Sequence, residues 1–310
     1  MVENSLLIIL GPTASGKTRL AVQLADALNG EIISADSRQV FKGMDIGTGK
    51  DLQEYQIKGE TITHHLINIR EAGESYQVDA FKEDFYAAYT KIRESKRLPV
   101  LCGGTGMYIH SLLQNHQFTS IAVNAALRER LQHYSLDALN VLLDQYPAAH
   151  TGHADRSTHK RVIRAIEVAD YLSVHPMPKK LMPALKPLVI GLHTDVERRR
   201  QRIAERLDLR LEEGLIEEVA QLITNGVSKE ILTFYGLEYK FVVAYLEGTL
   251  DLATLRERLF NAIAQYSKRQ MTFFRKMEKD GVKIHWFDAD LDQKELKREI
   301  VNRYLQMFGA

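Results

Sequence analysis

Eight small and polar residues near the N-terminus have the types and spacing of a phosphate-binding loop. The loop reads Gly11-Pro12-Thr13-Ala14-Ser15-Gly16-Lys17-Thr18 and follows the apolar stretch 6–10, so a strand, a loop and a helix are expected in that order. Small residues let backbone N–H groups converge on phosphate oxygens, Lys17 adds a positive charge, and the Thr18 hydroxyl can bind magnesium. The residues predicted to bind the ligand are Gly11, Thr13, Ala14, Ser15, Gly16, Lys17 and Thr18. The motif leaves open whether that ligand is ATP, GTP or another diphosphate.

Two further loops place polar residues directly after apolar runs. Asp36 follows the run 31–34, and Thr105 lies among glycines in Gly103-Gly104-Thr105-Gly106. Open α/β sheets bind ligands at the carboxyl ends of their strands, so we expect Lys17, Asp36 and Thr105 to share one site. A carboxylate there can bind magnesium or accept a proton from a nucleophile. An aspartate that only forms a turn is the competing interpretation.

Hydrophobic periodicity predicts an α/β protein in which helices flank a parallel sheet, as in P-loop NTPases. Apolar runs at 6–10, 31–34, 98–102 and 188–192 predict strands, and helical patterns at 16–28, 79–96 and 252–279 predict helices, the last of them C-terminal. Asp79 is a candidate N-cap for the second helix. Cys102 falls in a strand and is expected to be a small buried residue. Ile203, Leu207 and Leu211 form the apolar stripe of a further, basic helix.

The segment 119–186 has a different character, because its pattern is polar and helical and it ends in prolines. Those prolines are Pro176, Pro178, Pro183 and, just beyond, Pro187. Proline breaks helices and stiffens connectors. We therefore predict a catalytic core formed by 1–118 and 187–310, with a helical subdomain inserted between them.

Composition excludes several classes of protein. The chain has 310 residues, of which 45% are hydrophobic, and a net charge of +1, so total charge does not indicate nucleic-acid binding. Apolar runs are too short for a signal peptide or a membrane span, which predicts a cytoplasmic location. A single cysteine excludes an internal disulfide. No zinc site is expected, since His64 and His65 would face opposite sides of a strand, and His150, His153 and His159 lack ligand spacing.

Further motifs occur in a specific order along the chain. They are Ser34-Ala35-Asp36-Ser37-Arg38-Gln39-Val40-Phe41, Gly43-Met44-Asp45-Ile46-Gly47-Thr48, His64-His65-Leu66-Ile67, Gly103-Gly104-Thr105-Gly106-Met107-Tyr108, Arg161-Val162-Ile163-Arg164-Ala165-Ile166-Glu167-Val168, Gly214-Leu215-Ile216-Glu217-Glu218-Val219 and Lys268-Arg269-Gln270. With the phosphate-binding loop they make the chain similar, over nearly its whole length, to the tRNA dimethylallyltransferases, also called tRNA isopentenyltransferases.

The resemblance implies a prenyltransferase that uses Mg²⁺ and dimethylallyl diphosphate. The enzyme would transfer the dimethylallyl group to N6 of the adenosine 3′ of the anticodon, at position 37. The implied catalytic residues are Asp36, Thr105 and Arg206, with Asp36 taking the N6 proton and the other two contacting the diphosphate or the reacting centre. The implied tRNA contacts are Asp36, Ser37, Arg38, Gln39, Arg128, Lys160, Arg161 and Arg164, which would bind the anticodon stem-loop. A monomer is expected.

The chain departs from the family pattern at two places. Glu238 stands where a glycine facing the tRNA is expected, and Ile263-Ala264 replace a common Thr-Arg pair. These changes leave open a divergent paralogue with altered RNA preference. A small-molecule P-loop kinase would use the same loop and Asp36, but has no need of a basic helical insertion. A non-catalytic RNA-binding protein with a vestigial loop is the third hypothesis.

Overall fold

The structure, a computed structural model, describes residues 3–114, 117–152, 154–177 and 182–309. His153 and Pro178, named above, lie outside these ranges. The chain divides into two compact units, one formed by Met1–Leu113 with Pro183–Ala310 and the other by Gln114–Met182. Among the described helices, none combines the length and the apolar character needed to cross a membrane.

A parallel sheet of six strands forms the centre of the first unit. The strands in chain order are β1 Ser5–Leu10, β2 Gly30–Ser34, β3 Gln56–Ile57, β4 Glu60–Thr61, β5 His64–His65, β6 Leu98–Gly103, β7 Lys186–His193 and β8 Ile284–Asp288. The sheet order is β5-β2-β6-β1-β7-β8, while β3 and β4 form a separate antiparallel pair. The predicted α/β class with a parallel sheet is confirmed. Two strands of this sheet, β5 and β8, were missed by the periodicity.

Thirteen helices are described along the chain. They are α1 Lys17–Ala27, α2 Val78–Glu94, α3 Gly106–Leu113, α4 Ala125–Leu131, α5 Leu136–Leu143, α6 Ala148–Thr151, α7 His159–Val174, α8 Val196–Glu212, α9 Leu215–Thr224, α10 Lys229–Tyr235, α11 Leu237–Leu246, α12 Leu252–Lys279 and α13 Gln293–Phe308. Two predictions were wrong. Gln77, not Asp79, is the N-cap of α2, and Asp79 lies in the first turn, where its charge favours the helix dipole. The helix 252–279 is not C-terminal, because β8 and α13 follow it.

The strands read as unbroken apolar runs because both faces of the sheet are covered. Side chains alternate between the faces along each strand. In β1, Leu6, Ile8 and Leu10 belong to the core shared with α2, α3 and α12. Leu7 and Ile9 belong to the core shared with α1 and α13. The central strand is therefore buried on both sides, and the loop that follows it starts from a rigid position.

The second unit has its own small core and one buried carboxylate. Leucines of α4 and α5 pack against Val162 and Ile166 of α7. Glu167 is buried and accepts two hydrogen bonds from the Arg128 guanidinium, at 2.9 and 2.8 Å. Arg164 also contacts Glu167 and donates to the carbonyl oxygens of Phe118 and Ile121. A buried charge needs such partners, so these two arginines stabilise the fold of this unit.

The strand order places the loop after β6 between the loops that follow β1 and β2. Of the three loops expected to share one site, the loop that carries Thr105 therefore lies between the loop that carries Asp36 and the phosphate-binding loop. Gly103 makes this close approach possible, because a Cβ there would lie 2.2 Å from the carbonyl oxygen of Ala35. Ala35 N–H also donates to Cys102 O at 2.7 Å, so the two strand ends are tied together.

We expect Gly103→Ala to destabilise the first unit by about 1–3 kcal/mol, because the added methyl group overlaps the backbone of Ala35. Urea unfolding followed by the fluorescence of Trp286, the single tryptophan of the chain, measures the loss. Gly152→Ala is the control, since Gly152 has helical backbone angles of φ −59° and ψ −17°. Equal midpoints for the two variants would contradict the predicted overlap.

Candidate active site

The loop between β1 and α1 has the backbone geometry of an anion-binding site. Ala14 and Gly16 both have left-handed angles, with φ 62° and 75°. Ser15 N–H donates to Pro12 O at 3.3 Å, which closes a turn. The first N–H groups of α1 have no partner within the helix and carry the positive end of its dipole. The N-terminus of α1 therefore offers donors and positive potential to a phosphate group.

A cavity of about 350 Å³ lies in front of this loop. The predicted site residues that line it are Thr13, Lys17, Thr18, Asp36, Ser37, Arg38, Gln39 and Arg206. Ala14, Ser15 and Gly16 line a second, outer cavity, which Lys17, Thr18 and Arg206 also border. Lys17 and Thr18 thus border both cavities, Asp36 borders the first, and Gly11 lines neither.

Lys17 is surrounded mainly by protein. Burial lowers the pKa of its ammonium group, while the nearby Cys102 and Asp36 raise it. Its Nζ lies 3.5 Å from Pro12 O. A partly buried cation attracts an anion more strongly than one in open water, because less water screens its charge. This arrangement favours binding of a diphosphate against Lys17.

Asp36 forms a turn and also lines the cavity, so both interpretations of this residue apply. Its Oδ1 accepts a hydrogen bond from Arg38 N–H at 2.9 Å. Thr105 Oγ1 accepts from Ser37 N–H at 3.2 Å, and Thr105 N–H donates to Ala35 O at the same distance. Thr105 is therefore bonded to the Asp36 loop and is not part of the cavity wall. These two hydrogen bonds hold the loop that carries Asp36, and the predicted contact of Thr105 with the reacting centre stays a prediction.

Arg38 and Gln39, predicted to contact tRNA, are both bonded within the first unit. Arg38 donates to Phe234 O at 3.0 Å and lies 5.5 Å from the ring centroids of Phe234 and Tyr235. Gln39 donates to Gly49 O at 3.0 Å and accepts from the Ser34 hydroxyl at 2.9 Å. These bonds hold the segment after β2 against the wall of the cavity.

Gln270 links the two glycine-rich loops of the site. It lies on α12, and its Oε1 accepts a hydrogen bond from Thr13 N–H at 2.9 Å. Its Nε2 donates to Gly104 O, also at 2.9 Å. The motif Lys268-Arg269-Gln270 was recognised in the sequence, but no role followed from it, because its partners lie more than 160 residues away. One amide therefore sets the distance between the loop after β1 and the loop after β6.

Glu218 holds the loop that carries Gly47 and Gly49. Its carboxylate accepts from the backbone N–H groups of Asp45, Ile46 and Gly47, at 2.7, 2.7 and 3.0 Å. The hydroxyl of Tyr239 donates to the same carboxylate at 2.9 Å. Charge-assisted bonds of this kind are strong. The two segments that Glu218 joins, 43–48 and 214–219, are both motifs quoted above, but only the fold shows that they contact each other.

Helix α8 carries arginines at every fourth position, which puts them on one face: Arg198, Arg202, Arg206 and Arg210. Arg206 forms an ion pair with Asp51 and lies 3.5 Å from Gly49 O. Arg202 pairs with Asp290 at 2.6 Å. Because Arg206 lines both cavities, it is placed beside Lys17 where a diphosphate would lie.

Cysteine and histidine side chains take structural positions in this unit. Burial raises the pKa of the Cys102 thiol to about 12, so the thiol stays protonated near neutral pH. His64 Nδ1 lies 3.2 Å from Ile62 O, and His65 Nε2 lies 2.6 Å from Glu31. Within the described ranges, no group of three or more histidine, cysteine or acidic side chains is arranged to hold a metal.

The predicted tRNA contacts in the second unit fall into two groups. Arg128 and Arg164 are committed to Glu167, as described above. Lys160 and Arg161 are exposed at the start of α7, and Arg161 donates to Asp155 at 2.9 Å. The charged side chains of Lys160 and Arg161 are therefore exposed to solvent.

Comparison with known proteins decides the family. The model of the "IPP transferase" family matches residues 39–277, and that of the "Isopentenyl transferase" family matches residues 4–66. The chain belongs to the tRNA dimethylallyltransferase family. It is 48% identical over 299 residues to tRNA dimethylallyltransferase 2 of Porphyromonas gingivalis, which covers 96% of this chain and 99% of that protein. It is 45% identical to tRNA dimethylallyltransferase 2 of Bacteroides fragilis, with 99% and 100% covered.

Solved structures agree with this membership in the tRNA dimethylallyltransferase family. The crystal structure of the full-length tRNA isopentenylpyrophosphate transferase of Bacillus halodurans matches with a TM-score of 0.72 and 33% identity, covering 98% of this chain and 96% of that one. A eukaryotic dimethylallyltransferase described as acting on tRNA matches with a TM-score of 0.75 and 25% identity, covering 98% of this chain and 78% of that one. The resemblance drawn from the motifs is confirmed.

Gln270→Leu should weaken pyrophosphate binding about tenfold, because Thr13 N–H and Gly104 O lose their partner and the two loops are free to separate. Calorimetric titration with pyrophosphate measures the effect. Gln221→Leu is the matched control, since Gln221 only bonds Asn225 on an exposed helix face. Wild-type affinity in the Gln270 variant would show that the amide does not position the loops.

Proposed function

We propose that the chain transfers the dimethylallyl group of dimethylallyl diphosphate to N6 of the adenosine 3′ of the anticodon, at position 37, and releases pyrophosphate. The observation that carries the proposal is the shared cavity, which Lys17 and Thr18 of the phosphate-binding loop border together with Asp36. An anion site and a carboxylate in one cavity suit a reaction in which a diphosphate leaves and a nucleophile loses a proton.

The bonds and protons of the transfer balance as follows. The bond between the allylic carbon and the diphosphate oxygen breaks, and its electron pair leaves with pyrophosphate. The lone pair of N6 forms the new carbon–nitrogen bond, and N6 passes one proton to the carboxylate of Asp36. Lys17 and the N–H groups at the start of α1 stabilise the charge that develops on pyrophosphate.

Magnesium fits the donor set of the site. Mg²⁺ prefers oxygen ligands and commonly binds through one or two protein oxygens together with substrate phosphates and water. The hydroxyl of Thr18, in the first turn of α1, would hold it, and Asp36 lines the same cavity. Ser15, which lies within the loop, has a buried hydroxyl without a partner among the described residues. When bound, the ion neutralises part of the charge on the diphosphate.

Arg206 is proposed to contact the diphosphate from α8. Its partner Asp51 is half-buried, with 30% of the side chain exposed, and Glu54 lies nearby. Burial raises the pKa of the Glu54 carboxyl, and the charge of Asp51 raises it further. An incoming diphosphate would either displace Asp51 from Arg206 or bind to Arg206 together with Asp51. Thr105 is proposed to act through the Asp36 loop rather than on the diphosphate.

The tRNA anticodon stem-loop is the proposed partner. Recognition of single-stranded loops relies on flipped bases and on cationic contacts to phosphates. Segment 36–39 borders the cavity and would contact the acceptor nucleotide, whereas Lys160 and Arg161 would contact phosphates. Arg128 and Arg164 are proposed to contribute by supporting α7.

The P-loop kinase alternative is not favoured, because the matching family models and the named relatives are transferases. Each of the two departures from the family pattern contributes a residue to the cavity wall, since Glu238 and Ile263 line the cavity. A divergent paralogue with altered RNA preference therefore stays as the second candidate. The cytoplasmic location and the monomeric state stay predictions.

Asp36→Asn is expected to lower kcat by about 10²–10⁴-fold, the usual effect of removing a general base, with little change in RNA affinity. Transfer of label from radioactive dimethylallyl diphosphate to a tRNA anticodon stem-loop measures kcat. Asp26→Asn is the control, because Asp26 only pairs with Lys58 and Lys297 on the surface. An unchanged kcat in the Asp36 variant would remove this residue from the mechanism. ATP turnover without RNA would overturn the transferase proposal itself.

Arg161→Ala should weaken tRNA binding and reduce the slope of log Kd against log salt concentration by about 0.7, the value for one single-strand phosphate contact. Pyrophosphate affinity should not change, since the variant lies in the other compact unit. Arg156→Ala is the matched control, because Arg156 forms a comparable exposed ion pair, with Asp144 at 2.7 Å. If both variants show the wild-type slope, Arg161 does not bind phosphate.

A further inference from the structure

Arg210 is a buried arginine whose Nε–H has no hydrogen-bond partner among the described residues. It lies on α8, one turn beyond Arg206, with only 8% of the residue exposed. The side chain lines the cavity that Lys17 and Asp36 also border. The closest carboxylate oxygen in an ion pair with it, Glu238 Oε1, lies 3.8 Å away. Because the side chain lines the cavity, the terminal N–H groups of its guanidinium are the donors through which Arg210 can bind a substrate there.

Glu238 lies opposite Arg210 in the first turn of α11 and lines the same cavity. Its side chain is 20% exposed. Burial raises the pKa of this carboxyl, whereas Arg210 lowers it. A separation of 3.8 Å is too long for a direct hydrogen bond, so neither group satisfies the other. The guanidinium of Arg210 and the carboxylate of Glu238 both line the cavity, where they form an ion pair without a direct hydrogen bond.

The position of the pair along α8 indicates which part of the substrates it meets. Arg206 is proposed to contact the diphosphate, and one helical turn advances about 5.4 Å along the axis. Arg210 and Glu238 therefore face groups beyond the diphosphate, namely the allylic carbons and the acceptor base. The allylic carbons offer no hydrogen-bonding group. Burying them against the charged side chains of Arg210 and Glu238 would therefore be unfavourable. The edge of adenine offers an amine donor next to a ring-nitrogen acceptor.

We propose that Arg210 and Glu238 are specificity-determining residues that read the acceptor adenine. This inference rests on the proposed function. Arg210 donates to a ring nitrogen adjacent to N6, and Glu238 accepts the N6 hydrogen that remains in the product. Asp36 receives the other N6 hydrogen. Guanine carries an oxygen in place of this amine, so it would face the Glu238 carboxylate with an acceptor and be rejected.

The test pairs enzyme variants with altered acceptor bases. Anticodon stem-loops carry adenosine, 1-deazaadenosine or 7-deazaadenosine at the acceptor position, and kcat/KM is measured with dimethylallyl diphosphate. For the unaltered chain, one of the two deaza substitutions should lower kcat/KM about tenfold, the effect of one hydrogen bond. In Arg210→Met the same substitution should cost less than about twofold, because the bond is already absent.

Glu238 is tested by its conservative variant. Glu238→Gln keeps an acceptor oxygen and should retain about tenfold more activity than Glu238→Leu, while the KM for dimethylallyl diphosphate stays within about twofold in both. Arg256→Met is the control, since Arg256 pairs with Asp208 on the surface at 2.5 Å. Unfolding followed by Trp286 fluorescence establishes that each variant is folded.

Several outcomes would overturn the assignment. Equal losses from the deaza substitution in the unaltered chain and in Arg210→Met would show that Arg210 does not contact the base. A raised KM for dimethylallyl diphosphate in Arg210→Met would assign Arg210 to the diphosphate instead. If the unaltered chain transfers no dimethylallyl group to the unmodified stem-loop, the proposed function itself fails. In the two outcomes above, transfer still occurs and only the assignment of Arg210 fails.

Discussion

The side-chain amide of Gln270 is the interaction on which the geometry of the site depends. It bonds the loop after β1 through Thr13 N–H and the loop after β6 through Gly104 O. An amide, with one acceptor and one donor group, satisfies both loops from α12 and leaves the N–H groups of α1 available. A carboxylate or an ammonium at this position could satisfy only one of them.

The cavity is lined by charges whose partners are incomplete. Lys17 is partly buried, Arg206 pairs with Asp51, and Arg210 faces Glu238 without a direct hydrogen bond. Partly buried charges without complete partners cost free energy, and a substrate of complementary charge recovers it. The phosphate end of the cavity is positive because α1 points its N-terminus there. The carboxylates Asp36 and Glu238 line the same cavity, which suits a group that must lose a proton.

Positioning contacts in both units rely on carboxylates that each accept several hydrogen bonds. Glu218 gathers three backbone N–H groups and the Tyr239 hydroxyl, which fixes the loop that supports Arg206. Glu167 gathers the guanidinium groups of Arg128 and Arg164 within the smaller unit. Such carboxylates are well satisfied, so removing one leaves several donors unpaired at once. The basic motif around α7 thus combines arginines that support the fold with cations, Lys160 and Arg161, that face solvent.

The sequence by itself determined the elements whose signals are local. The phosphate-binding loop, the strands β1, β2, β6 and β7 and the long helix α12 followed from short patterns, because small residues and apolar runs act over a few positions. The motifs also identified the family. Tertiary structure alone decided that β6 separates Asp36 from the phosphate-binding loop, that Thr105 supports the Asp36 loop, and that Gln270 and Glu218 tie distant loops. Their hydrogen bonds join residues up to 257 positions apart, and no local pattern records which distant backbone group a side chain will meet. Strand β5, of two residues, is too short to leave a period, and β8 is stabilised by its pairing with β7.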